Sequence, residues 1–409
     1  MNLGTNKRKR GIACFAGVAL ISSIFTMPLA SGAATKVTLD PINIGTIMPT
    51  TGALSYYGVI ENQAIKLAFD LQNKAGGING HKIVWTTVDS QSSAANVTTC
   101  LNQLLYQNNA KLIIGGGASS GLAEAAMPIL TAAKVFFASG EADPPIGNNP
   151  SDYPYTFQTT LTSGDVVARM MKYVASKGFK QVAFYNDTGA YGAGGYLAAT
   201  AVAGINGLTV KNYTFSSTAT DLTALVQQGK SDGNTAHILW TSLATPGAAW
   251  IQATAAAGVN NVNGNLSMAG FTASSATWMN AGGVASTNLL VAAAKLTLQG
   301  QLNPKDPETK AIEAFNTAWQ EAYASPITIY GAEAWDAAQL AIAALKIANP
   351  KPGVKKVVTD GPTLTKAAVK ANLVGVVGTY NFSAKSHYGL NQGDIVMTKW
   401  DGAKFVPAS

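Results

Sequence analysis

The chain has 409 residues, of which 47% are apolar and only 12% charged, and it carries a formal net charge of +7. That length exceeds one compact core, so two globular units are expected, and the composition excludes disorder, a coiled coil and a nucleic-acid-binding surface. The basic excess is local: Lys7, Arg8, Lys9 and Arg10 are four of the 28 basic residues, and the other 24 face 21 acids, which leaves nothing to attract phosphate-bearing partners.

The cationic start runs into an apolar stretch at 12–25, then Met27-Pro28 and the small residues Ala30, Ser31, Gly32, Ala33 and Ala34. This is the pattern of a secretory signal peptide over 1–34, cleaved after Ala33 or Ala34, and the apolar run falls short of the ~20 residues that a membrane span needs. Cys14 lies at the start of that stretch, far ahead of the small residues, so it is misplaced for a lipid anchor at the cleavage point. A soluble, exported mature protein is expected. Its single cysteine, Cys100, lies at helical spacing among Val97, Leu101, Leu104 and Leu105 and reads as a buried structural thiol. His81, His237 and His387 are scattered, so neither a metal site nor a cofactor is expected.

From residue 42 strand-like and helix-like segments alternate, the pattern of a parallel sheet covered by helices. A strand is expected over 42–48, followed by a helix with Ile60, Ala64, Leu67, Ala68 and Leu71 on one face. Gly76-Gly77-Ile78-Asn79-Gly80 is a turn, 82–88 a second strand, and Ser92 or Ser93 caps a helix reaching about Gln107. A third strand spans 112–114, ahead of a Gly- and Ser-rich loop and a helix, and a fourth spans 135–138.

After Pro144-Pro145 and Pro150 the alternation restarts, with a helix over 166–177, a strand over 181–185 and a helix over 196–203. Strands at 210–215 and 237–240 and helices at 222–228 and 248–257 follow. A further helix carries Trp335, Ala338, Ile342 and Leu345 on one face, and short strands are expected at 378–382 and 394–400. Both halves place a Gly and then a Tyr-Gly pair after their first strand: Gly52 with Tyr57-Gly58, and Gly189 with Tyr191-Gly192. Ligands of open parallel sheets bind beyond the carboxyl ends of the strands, so two facing units would bring Tyr57, Ser119, Tyr191 and the loop after Trp240 to one cleft.

These residues resemble the exported solute-binding proteins of ATP-driven importers, specifically the branched-chain amino acid (leucine/isoleucine/valine) binding family. The resemblance runs from Ile42 to about Trp400. It rests on Thr51-Gly52 through Tyr57-Gly58, the segment 73–80, Ile113-Ile114-Gly115 with Ser119-Ser120, Tyr191-Gly192, and Tyr330 with Trp335-Asp336-Ala337. It implies an α/β fold of two Rossmann-like lobes with parallel sheets joined by three crossovers, the type I periplasmic binding protein fold. The crossovers are expected near Thr159, Leu290 and Gly375, giving one lobe of 35–158 plus 291–375 and another of 159–290 plus 376–409.

The resemblance also implies partners and a site: a periplasmic monomer that closes on a small molecule and serves a membrane permease and an ATPase subunit. Ser119, with Ser120 beside it, would hold a ligand carboxylate, as a hydroxyl and backbone amides at a helix start can. Gly140 and Ala142 would complete that side, and Tyr57 and Tyr191 would close over the ligand, with Tyr56 the alternative to Tyr57. The family's acid for a ligand ammonium falls at Phe271 or Thr272, and its preceding aromatic at Leu243, so the second lobe lacks the acid. A carboxylate or amide is therefore expected over an amino acid, unless Glu141 or Asp143 substitutes, because a buried unpaired ammonium costs several kcal/mol. Two alternatives remain open, an α/β-hydrolase using Ser119 in Gly117-Ala118-Ser119-Ser120-Gly121 with His387 downstream, and a ligand-sensing module on the same fold.

Overall fold

The computed structural model describes residues 39–115, 119–143 and 145–408; the expected signal peptide and the loop residues Gly116, Gly117 and Ala118 lie outside the described residues. The first sheet has the order β2-β1-β3-β4-β5, all parallel. Its strands are β1 (Ile42–Met48), β2 (Ile83–Asp89), β3 (Leu112–Gly115), β4 (Phe136–Ser139) and β5 (Thr156–Gln158). The helices that follow its strands are α1 (Ser55–Lys74), α2 (Val97–Asn102), α3 (Ser120–Ala132) and the single turn α4 (Pro145–Asn148).

The chain then winds a second unit through α5 (Ser163–Ser176), β6 (Gln181–Asp187), α6 (Ala190–Ala203), β7 (Thr209–Phe215), α7 (Thr223–Ser231) and β8 (Ala236–Trp240). It continues with α8 (Ala244–Ala256), β9 (Leu266–Ala269), α9 (Ala276–Gly282) and β10 (Leu290–Ala294). α10 (Pro307–Tyr323), α11 (Ile329–Ala348) and α12 (Gly361–Ala368) return to the first sheet, where α11 packs along α1. β11 (Ile395–Trp400) and β12 (Phe405–Pro407) close the second sheet as antiparallel strands beyond β10, in the order β12-β11-β10-β9-β8-β6-β7.

Leaving β11 and β12 aside, both sheets have the same winding. The strand order reverses between β1 and β3 in one lobe and between β6 and β8 in the other, and at such a reversal the loops diverge to leave a crevice at the strands' carboxyl ends. The chain passes between the lobes three times, after β5, after β10 and after α12. The boundary expected at Leu290 runs through β10, whose residues pair in the second sheet with β9 and β11.

The first and third passes are knotted together on buried Asp336 of α11. Its carboxyl accepts the Val376 and Val377 amides at 2.9 and 3.0 Å, and Tyr380 Oη lies 2.9 Å from Asp336 Oδ2 and 2.7 Å from the Thr159 carbonyl. One phenol proton cannot serve both acceptors. Burial pushes the Asp336 carboxyl up to about 7, and a protonated Asp336 can donate to Tyr380 while Tyr380 donates to Thr159.

Local differences from the sequence reading have simple causes. Leu71 is 38% exposed, because the α1 stripe that meets α11 ends near Phe69. Ser92 and Ser93 do not cap with their side chains; Ser92 Oγ instead donates to Thr51 O and accepts the Leu54 amide, tying down the loop after β1. Residues 378–382 form no strand; a Val374–Thr379 bridge ties them to the preceding segment. Cys100 is buried, as its spacing indicates, with Sγ 3.4 Å from Asp89 O.

Candidate functional site

Loops from both lobes meet at the strand ends around a small chamber of about 20 Å³, room for about one water. The first lobe contributes Ser120, Gly140, Glu141, Ala142, Tyr330 and Glu333; the second contributes Tyr191, Ser242, Phe271 and Thr272. Each sits just beyond a strand or at the cleft end of a helix, which is where the winding opens a crevice. Gly115 makes the tight exit from β3: it has φ +151°, and a Cβ there would stand 2.3 Å from the Ile47 carbonyl.

An aromatic wall lines the second lobe's side. Tyr191 stacks on Trp240 with centroids 5.0 Å apart, Trp240 Nε1 donates to the Tyr191 carbonyl at 3.1 Å, and Phe271 meets both rings edge-on. Trp240 is fully buried behind Tyr191 and is not among the residues lining the chamber. Room for its indole depends on Gly195, where a Cβ would come 2.2 Å from Trp240 Cδ1.

A wider cleft of about 480 Å³ lies beside the chamber, lined by Tyr56, Tyr57, Leu243, Ala244, Pro246 and Trp278 among others. Tyr57 and Tyr330, in ring contact, stand between the two spaces. Tyrosines also hold the lobes together here. Tyr57 Oη accepts the Ala244 amide at 3.3 Å, Tyr330 Oη donates to Ser242 O at 3.4 Å, and Tyr56 Oη lies 3.2 Å from Thr277 Oγ1.

The chamber's charge is entirely acidic. Glu141, after β4, and Glu333, one turn beyond Tyr330 on α11, both line it and both are buried. Glu333 Oε2 accepts the Thr160 hydroxyl at 2.7 Å, yet burial, followed by the Glu141 charge, holds its carboxyl well above the usual carboxylate range. Burial also lifts the Tyr191 and Tyr330 phenols well above theirs. Asp143 is engaged elsewhere: it hydrogen-bonds Glu124, whose carboxyl rises to about 7 through burial and then Asp143.

Of the residues singled out from sequence, Ser120, Gly140, Ala142, Tyr191 and Phe271 meet at the chamber, while Tyr57 and Leu243 line the adjoining cleft. Ser119 is the half-buried N-cap residue of α3, and its side chain makes no capping bond. The neighbouring Ser120 is the serine that lines the chamber, with a buried Oγ that has no hydrogen-bond partner among the described residues. No acid of the second lobe lines the chamber, in line with the reading at Phe271 and Thr272, but the first lobe supplies two. Those two carboxyls remove the ground for expecting a ligand without an ammonium. Glu333 escaped the sequence reading; an acid three residues after Tyr330 and three before Asp336, in an alanine-rich helix, was its available signal. His387 does not join Ser119: it stacks on Phe157 at 4.0 Å, its Nδ1 lies 2.9 Å from Thr156 O, and it borders a separate cavity with Pro150 and Pro154.

Comparison with known proteins adds to this geometry. The model of the family described as "Periplasmic binding protein" matches residues 41–404. Leu/Ile/Val-binding protein homolog 3 of Brucella melitensis is 30% identical over 196 residues, 47% of this chain and 52% of that protein. Leu/Ile/Val-binding protein BraC3 of Rhizobium johnstonii is 28% identical over 216 residues, 52% of this chain and 56% of that protein. The chain thus spans about half the length of the curated relatives it matches. Among solved structures, an extracellular ligand-binding receptor from Rhodopseudomonas palustris HaA2 superposes with a TM-score of 0.79 at 18% identity, over 90% of this chain and 99% of that one. The leucine binding protein LivK of Thermotoga maritima gives 0.74 at 19% identity, over 90% and 98%. A solute binding protein from R. palustris in complex with benzoate gives 0.74 at 18% identity, over 90% and 96%. Likeness at these identities shows the shared fold.

Proposed function

We propose, for a chain that belongs to the periplasmic binding protein family, that it is the solute-binding component of an ATP-driven importer, closing two lobes on a small ligand without chemistry. The observation that carries this reading is a chamber lined from both lobes, beside which tyrosines of the first lobe bridge to the second. A space that exists only when the lobes meet is suited to capture and release. A hydrolase reading is disfavoured, because His387 lies at a different cavity from the serine loop.

The ligand is amino-acid-like in this proposal, as the names of the curated relatives suggest. It would be contacted by Ser120, Gly140, Ala142, Tyr191 and Phe271, overhung by Tyr57 and Leu243, with Ser119 shaping the loop. The protein would act as a monomer in the periplasm after removal of residues 1–34, delivering its ligand to a permease and an ATPase subunit. A cargo binder suits a dissociation constant near 1 μM, roughly −8 kcal/mol. Ligand at 1,000 times that constant would stabilise the folded protein by about 4 kcal/mol.

A thermal-shift panel of amino acids, amines, carboxylates and amides, followed by small-angle scattering with each hit, tests the reading. A raised melting temperature with compaction supports it. Turnover of simple esters that Ser119→Ala or Ser120→Ala abolishes would overturn it.

A further inference from the structure

We propose that the chamber receives the cationic group of a small organic cation, an ammonium, amidinium or guanidinium, held by the carboxyls of Glu141 and Glu333 within the rings of Tyr191, Phe271 and Tyr330. The proposal rests on the reading of the chain as a solute-binding protein and names the class of its cargo.

Two acids line a space of about 20 Å³, and no lysine, arginine or histidine is among its lining residues. An anionic ligand end placed there would meet two acid groups at low dielectric with no cation among the lining residues to answer it, whereas a cation draws those acids into their charged forms and is held by them. The three rings add a second attraction, since an aromatic face carries partial negative charge that favours cations, more so when water is excluded. Ser120 Oγ, buried, facing the chamber and without a partner among the described residues, offers an acceptor for a further N–H of the same group.

The surroundings couple capture to proton release. Facing Glu333 are Glu141 from the loop after β4, Asp336 on its own helix and the Tyr191, Tyr330 and Tyr380 phenols, with the charges of Asp187 and Glu61 reaching the Tyr191 and Tyr330 phenols. All of these are acids. With burial they hold a proton on Glu333 in the empty site, and an arriving cation favours the ionised form and sends that proton to solvent. Affinity for a permanent cation therefore rises with pH until the empty site is itself ionised.

Isothermal titration of the mature chain with isopentylamine, benzamidine, leucine, isovalerate and benzoate, at pH 6 and pH 8 and in buffers of different ionisation heat, decides it. The amine and the amidine should bind at least ten-fold more tightly than the acids of matching shape, more tightly at pH 8 than at pH 6, with proton release. Glu333→Gln, which keeps volume and an acceptor for Thr160, should cost the amine at least ten-fold. Should that variant misfold, Glu141→Gln and the wild-type pH profile carry the same comparison. Isovalerate or benzoate binding as tightly as its cationic counterpart, or no binding by either cation, overturns the inference. If acids bind and compact the protein, the solute-binding reading stands without it; if no compound in the thermal-shift panel binds, both fall.

Discussion

Tyr57 and Tyr330 meet ring to ring, centroids 4.4 Å apart and planes inclined by 38°, and each reaches across to the other lobe, one to the Ala244 amide and one to the Ser242 carbonyl. One helix of the first lobe supplies each ring, α1 and α11, and those helices pack along each other. The pair is therefore a rigid part of the first lobe whose hydroxyls engage only when the second lobe arrives.

Tyr330→Phe keeps the ring contact and deletes the bridge to Ser242. A net neutral hydrogen bond contributes about 0.5–1.5 kcal/mol, and at 3.4 Å the low end applies, so ligand affinity should fall about two- to three-fold while circular dichroism is unchanged. Scattering of the ligand-free variant should show a more open particle. Unaltered affinity and scattering would mean that the bridge does not hold the lobes.

Ser120→Ala should weaken ligand binding more than Ser119→Ala, because Ser120 lines the chamber while Ser119 stands half-buried at the start of α3, outside the chamber lining. A hydrogen bond to a charged ligand group contributes about 1.5–3 kcal/mol, or roughly ten- to 150-fold in affinity. Titration of both variants checks the order. The reverse order would return the role to Ser119.

Gly195→Ala should destabilise the protein although alanine favours a helix by about 1 kcal/mol over glycine. The added methyl meets Trp240 Cδ1 at 2.2 Å and Nε1 at 2.3 Å, and overpacking of this kind costs about 1–3 kcal/mol. Displacing Trp240 also moves the ring under Tyr191, so tryptophan fluorescence and ligand affinity should change together. A higher melting temperature would show that the indole has room to spare.

Asp336 should make stability depend on pH in a direction opposite to an ordinary salt-bridged acid. Its folded-state value of about 7 lies above the ~4 of an unfolded aspartate. Its contribution is thus complete below about pH 4 and is lost as pH rises to 7. In urea unfolding at pH 4, 5.5, 7 and 8, the stability of wild type relative to Asp336→Asn should fall across that window and then level off. A gap that widens with pH would mean that the Val376, Val377 and Tyr380 bonds keep the carboxyl ionised.

Strands with strong apolar runs, such as Ile42–Met48 and Ala236–Trp240, were legible because each is bounded by turn residues and buried throughout or nearly so. β5, β9 and β10 were not: each has only three to five residues, and runs such as LSMA and LVAAA carry no period that separates strand from helix. The same limit governs the site. Tyr57, Gly140, Ala142 and Tyr191 each follow a recognisable strand, whereas Phe271 follows the illegible β9 and is reached only through the family resemblance, and Glu333 comes from a helix distant in sequence. Its approach to Glu141 is a product of the third dimension, since α11 is laid beside the loop after β4 by the chain's return from the second lobe. Choosing between Ser119 and Ser120 likewise needed the direction of a side chain at a helix start, which adjacent identical residues conceal.

A chamber that admits about one water makes exchange a matter of timing. In the proposed solute-binding role, a cargo of several heavy atoms does not fit that space as it stands, so each arrival and departure would wait on a separation of the lobes. Residence time would then be set by how seldom the bridges from Tyr57 and Tyr330 to the second lobe let go. Two cargoes of unequal affinity would leave through the same motion and differ chiefly in how long they postpone it. A partner could then sense how far apart the lobes stand without touching the cargo itself.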